Sequence, residues 1–416
     1  MENEYTELVK YMHDLGFSKE NILKILDKYI IKKYKGKDLE RKVKEVVETL
    51  KEEPFSYHFS EIVKIITAFP QIIAYSIETL LERRNIYEKY NHSSKSIQRM
   101  ILRIPQILGY DENNINEKVH ALLDYGYTQE EIKKMAENHP HIYYIPTQNK
   151  DRKWNLLESI GISKEKVKKL TISCPQLFSI SEKAILNKLK ALYEIGFHED
   201  KIISMIERNP EILTYHMDSI TRKIEELEKL GYKKPQAILL IERYPQMLDL
   251  SIQTIKEKHQ GIKNLGFKRK EVLDMINKLP TLLGLKTETI REKMECLEKR
   301  EYTKEEVKEI VLVFPQIVSY NKEHLAEKLR FYNKVGLHEV ALIAPRNLMQ
   351  STKLSYARIR YLKEQGIEIN MSNYKELFRK ESDFQYRYHI TTNQLLEKYP
   401  YEEGEDNYGE NSKTIE

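Results

Sequence analysis

Arg83, Lys118, Lys153, Lys188, Lys223, Lys258, Lys293, Lys328 and Arg358 each lie 13 residues after a proline, so one basic side chain recurs at a fixed place along most of a 416-residue chain. A regular row of cations suits a phosphate backbone, because every phosphate neutralised releases condensed counterions. The same residues have a structural alternative. An ammonium whose stem lies along a packed face can instead tie a carboxylate, or a carbonyl at a helix end, in the neighbouring repeat. A second, less regular set, Arg103, Arg208, Arg243 and Lys278, stands two residues before prolines. There a cation also complements the dipole at the end of a helix. Other chemistry is not signalled. The chain has no P-loop, no G-x-S-x-G elbow and no H-E-x-x-H helix, and His120, His139, His141, His198, His216 and His259 form no metal-site pattern. We therefore expect no catalytic residue, no metal, no cofactor and no small-molecule substrate.

The elements that must position these cations follow from two breaker residues. Prolines fall every 35 residues at Pro70, Pro105, Pro140, Pro175, Pro210, Pro245, Pro280 and Pro315, and glycines follow 21 residues after a proline at Gly126, Gly161, Gly196, Gly231, Gly266 and Gly336. Breakers locked in phase mark a tandem array, whose fold is made by stacking one small unit. Within the repeat from Gly161, a polar residue such as Ser163 (Thr128 and Thr303 elsewhere) suits a helix N-cap, and Val167, Leu170 and Thr171 follow at helical spacing. Pro175 ends that helix. The apolar pair Leu177 and Phe178, matched by Ile72 and Ile73 or Ile212 and Leu213, predicts one tight turn wedged into the core. A second capping position, held by Ser76, Asp111, Ser181, Ser251 and Asn321, opens a second helix with a stripe at Ile185, Leu189, Leu192 and Ile195. Gly196 closes it.

Both ends depart from the pattern. Ile30 stands where a proline is due, and Pro345 follows Pro315 after only 30 residues, a loss of about one helical turn. The reading is residues 1–54 as a degenerate repeat or cap, 55–369 as the array, 370–400 as a C-terminal helical cap with Tyr374, Leu377, Phe378, Phe384 and Tyr388, and 401–416 as an acidic, disordered tail. That tail carries net charge −5, which leaves +10 on residues 1–400 and favours polyanionic partners. Cys174 and Cys296 read as two small buried thiols. No run of about 18 apolar residues exists, and the N-terminus lacks the features of a secretory or transit signal, so no membrane span and a cytoplasmic location are expected.

Spacing also separates helical-repeat families. Tetratricopeptide and pentatricopeptide repeats place glycine and proline at other intervals. The segments PQLFSISEKAILNKLKALYEIGF (175–197) and PEILTYHMDSITRKIEELEKLGY (210–232) resemble the mitochondrial transcription termination factor family, mTERF, over about residues 55–369. The resemblance implies an all-α, right-handed α-solenoid of about nine 35-residue helix–3₁₀ turn–helix repeats with a basic concave groove. It implies partners of double-stranded DNA or structured RNA, and roles in transcription termination, transcription regulation or RNA metabolism. A protein-binding scaffold or adaptor is the alternative. Tyr75, Tyr110, Tyr215 and Tyr320, five residues after prolines, share their slot with Ile145, Ile180, Leu250 and Leu285, which predicts core rather than base-stacking positions.

Overall fold

A computed structural model of the chain describes residues 5–28, 31–34 and 36–401. Ile30 and the acidic run 402–416 lie outside the described residues. Those described form 23 α-helices and 11 short 3₁₀ turns, with no β-strand among them. The fold is an all-α solenoid of helix–turn–helix repeats, and the chain divides into two compact units, Met1–Thr221 and Arg222–Glu416. The boundary falls inside the helix Met217–Leu230, so it cuts the array without changing the repeat.

Pro345 and the eight prolines of strict period each open a 3₁₀ turn, and the cause is local. The proline ring excludes the helical region for the residue before it. Cys174 accordingly sits at φ −133°, ψ 70°, and Phe69, Asn209 and Phe314 adopt nearly the same geometry. The turn then drives its apolar pair inward: Ile72, Ile73, Leu177 and Ile212 are wholly buried. The anticipated caps follow, with Ser76, Asp111, Ser181, Ser251 and Asn321 each accepting backbone amides of the second helix. Thr128 and Thr303 form capping boxes on first helices, whereas the Ser163 side chain makes no capping bond.

At the second helix's end the backbone requires positive φ. Gly196 supplies it at 114°, but Asn91 and Glu301 occupy the equivalent position with φ of 60° and 73°. Asparagine tolerates this region, while in glutamate the Cβ is strained there. In the shortened last repeat the first helix is one turn, Val340–Ile343. Helices Glu381–Tyr388 and Thr392–Lys398 then close the stack, burying Phe384, Leu395 and Tyr399 against Ala357 and Leu362. Cys174 and Cys296 are buried free thiols.

Candidate nucleic-acid interface

None of the nine cations after the prolines is fully exposed. Arg358 is 2% exposed, Lys153 5%, Lys293 7% and Lys188 9%, and Arg83, Lys118, Lys223, Lys258 and Lys328 are half-buried. Five of them donate to backbone carbonyls of the following repeat or the cap. Lys188 bonds the Tyr215 carbonyl, Lys223 that of Leu250 and Lys258 that of Leu285, each 27 residues on. Lys328 reaches the carbonyls of Leu348 at 2.9 Å and Gln350 at 2.6 Å. Arg358 donates to Leu377 at 2.9 Å and Arg379 at 2.7 Å, with its guanidinium over the Phe384 ring at 4.2 Å.

The acceptor lies where the chain leaves the 3₁₀ turn and has not yet entered the next helix, which is where a backbone carbonyl lacks a partner from regular structure. A long flexible cation reaching in from the preceding repeat satisfies it, at a cost. Burial pulls the ammonium groups of Lys153, Lys188, Lys223 and Lys328 below their ordinary range. At Lys188, Lys223, Lys258, Lys328 and Arg358 the expectation of outward cations is therefore corrected to inter-repeat ties. Of the remaining positions, Lys153 faces Glu182 at 4.0 Å, Lys118 pairs with Glu117 at 2.7 Å, and Arg83 lies over the Tyr75 ring at 5.9 Å. The same slot brings a second correction. Tyr75, Tyr110, Tyr215 and Tyr320 are half-buried rather than core, with the rings of Tyr75, Tyr110 and Tyr320 against other aromatic side chains, Phe69, Tyr144 and Phe314.

The second set is exposed and bonded at once. Arg103 donates to the carbonyls of Glu137 and Asn138, Arg243 to those of Asn277 at 2.6 Å and Lys278 at 2.9 Å, and Lys278 to that of Leu312 at 2.5 Å. Each caps the end of the next repeat's first helix, as the dipole argument requires. Arg208 bonds Ser204 within its own helix at 3.1 Å. All four side chains remain open to solvent. In the C-terminal unit this edge is a groove of about 590 Å³ in which Arg243, Lys278 and Arg346 share walls with Leu239, Asp274 and Gln316.

A third register escaped the sequence reading. One helical turn before Arg103 and its equivalents, six residues before the proline, stand Lys64, Arg99, Lys134 and Lys169, in four consecutive repeats of the N-terminal unit. All four are exposed, and none takes part in an ion pair or side-chain hydrogen bond among the described residues. Their period was visible in the sequence. It was missed because the later repeats carry Ser204, Leu239, Asp274, Glu309 and Glu339 there, so the register is not basic throughout. The second helices carry exposed Glu78, Glu82, Glu88, Glu225, Glu228 and Glu257 together with exposed Lys89, Lys183, Arg222, Lys256 and Lys263, so charges of both signs are mixed there.

Among the described residues no three His, Cys, Asp or Glu side chains cluster as a metal site, and no helix is long and apolar enough to cross a membrane. The mTERF family model matches residues 1–150, 111–227, 145–301 and 220–385, which together span nearly the whole chain. No curated protein matches it significantly.

Proposed function

The chain belongs to the mTERF family of nucleic-acid-binding helical-repeat proteins, and on that premise we propose that it is a non-catalytic protein binding duplex DNA or structured RNA. It binds at the exposed ends of the first helices within each unit, and it influences transcription or RNA metabolism by occupying its site. The observation that carries this reading is the repetition of solvent-open cations at one register of the repeat, Arg103 and Arg208 in the N-terminal unit and Arg243 and Lys278 in the C-terminal unit. An arginine has five donors in a planar fork, so Arg103, whose Nη1 bonds the carbonyls of Glu137 and Asn138, retains others suited to a phosphate. Phosphate contact of this kind sets register and orientation without reading sequence.

Fluorescence anisotropy with labelled duplex DNA and a structured RNA tests it. Binding that weakens steeply as salt rises supports the reading. A protein with no affinity for either polymer at about 50 mM salt, where the electrostatic attraction is strong, contradicts it and favours a protein-binding scaffold.

A further inference from the structure

The four cations six residues before the prolines differ from neighbouring lysines on the same helices. Lys133 pairs with Glu130 at 3.5 Å, Lys166 with Glu207 at 2.8 Å, and Lys168 with Glu131 at 3.0 Å and the Gly126 carbonyl at 2.7 Å. Lys64, Arg99, Lys134 and Lys169 have no such partner among the described residues. Their helices, Phe59–Ala68, Ser94–Arg103, Gln129–Asn138 and Lys164–Ser173, pack directly on one another in order. Helices in contact run about 8–10 Å apart, so the charges form a ladder with rungs at roughly that separation.

Beside the second and third rungs the surface turns aromatic. Arg103, one turn beyond Arg99, bonds the Asn138 carbonyl, one turn beyond Lys134. From there ring contacts run outward: His139 to His141 at 5.2 Å, His141 to Tyr144 at 5.9 Å, and Tyr144 to Tyr110 at 5.0 Å in an edge-to-face arrangement. Burial, then the charges of His141 and Arg103, hold His139 down to about 4, so this end of the cluster is neutral at physiological pH. Tyr144 is 50% exposed. A large ring held by neighbours yet half open to water is a stacking platform, and stacking needs a base whose face is free. A duplex offers its phosphates and the edges of its bases. A single strand, loop or bulge offers phosphates and open base faces together.

We infer that the N-terminal unit holds a nucleic-acid segment with unpaired bases, its phosphates on Lys64, Arg99, Lys134 and Lys169 and one base stacked on Tyr144. The inference rests on the nucleic-acid reading proposed above and narrows it. The C-terminal unit does not extend the ladder, since Asp274, Glu309 and Glu339 occupy the same register and repel phosphate.

The test uses the full chain and two labelled probes, an oligouridine of about 20 nucleotides, long enough for several stacking and phosphate sites, and an RNA duplex of equal length. The wild type should prefer the oligouridine. The variant Lys64→Gln/Arg99→Gln/Lys134→Gln/Lys169→Gln should melt like the wild type, while its slope of log K against log salt on the oligouridine becomes shallower by about 3, near 0.7 for each phosphate no longer neutralised. Tyr144→Ala should weaken the oligouridine about tenfold with the slope unchanged, and Tyr144→Phe, which keeps the ring, should restore it. A preference for the duplex, a quadruple variant with the wild-type slope, or a Tyr144→Ala protein of wild-type affinity overturns this inference and leaves the nucleic-acid reading standing. Absence of binding to both probes overturns the two together.

Discussion

Lys150 shows what burial does to a lysine that is not a tie of the repeating kind. Its side chain is wholly buried in the helix Thr147–Ser159, and its ammonium donates to the Lys118 carbonyl at 3.4 Å. Burial, reinforced by the Lys118 charge, pulls it down to about 7. An unfolded lysine titrates near about 10.4, so the folded state binds fewer protons between about 7 and that value, and stability rises with pH across this window. Below it the charge is buried at full cost. Lys150→Met should therefore raise the melting temperature most at and below about pH 7, and its advantage should shrink as pH rises toward about 10. A variant whose advantage grows with pH would show that Lys150 is stabilised by its charge. The ties obey a different balance, because each satisfies a carbonyl that has no helical partner, and a hydrogen bond to a charged group is worth about 1.5–3 kcal/mol. The sequence displayed their period without their direction. Lys188 lies three residues after Ile185 and four before Leu192, both wholly buried, so packing on both sides turns it inward. The stripe was legible, but the carbonyl that receives each cation belongs to the next repeat, and no local pattern reports it.

At the scale of the element, much more was legible. Proline and glycine act through their own backbones, and the helices Lys164–Ser173 and Glu182–Ile195 begin and end where the pattern from Gly161 places them. The exceptions make a prediction. Glu301 sits in the left-handed conformation with φ 73°, which costs a residue with a Cβ about 1–2 kcal/mol, and the freer unfolded chain of glycine cancels about half of the relief a glycine would bring. Glu301→Gly should stabilise the protein by about 0.5–1 kcal/mol in denaturant unfolding. A loss of stability would mean that the glutamate makes interactions worth more than its strain. Leu192, wholly buried in its second helix, is a core position of an array whose repeats touch only their neighbours. Leu192→Ala should cost about 2–5 kcal/mol and loosen the adjacent repeats first. Hydrogen exchange that speeds equally in all repeats would contradict that local coupling.

For the molecule as a whole, a small net charge of +5 conceals how the charges are sorted. Five cations with a proline 13 residues before them tie one repeat to the next or to the cap, the second helices expose charges of both signs, and the exposed Arg103, Arg208, Arg243 and Lys278 stand at one register of the first helices. On the proposed reading, one periodic set holds the repeats together while another meets nucleic acid. Replacing Lys188, Lys223 and Lys258 together by Met keeps their stems and removes three ties. The salt dependence of nucleic-acid binding by this triple variant, taken with its melting temperature, separates the two roles. Ties should give a lower melting temperature and a slope of log K against log salt equal to that of the wild type. An unchanged melting temperature with a slope shallower by about 2–3, at about 0.7–0.9 for each phosphate no longer neutralised, would contradict the division of roles and return these lysines to the interface.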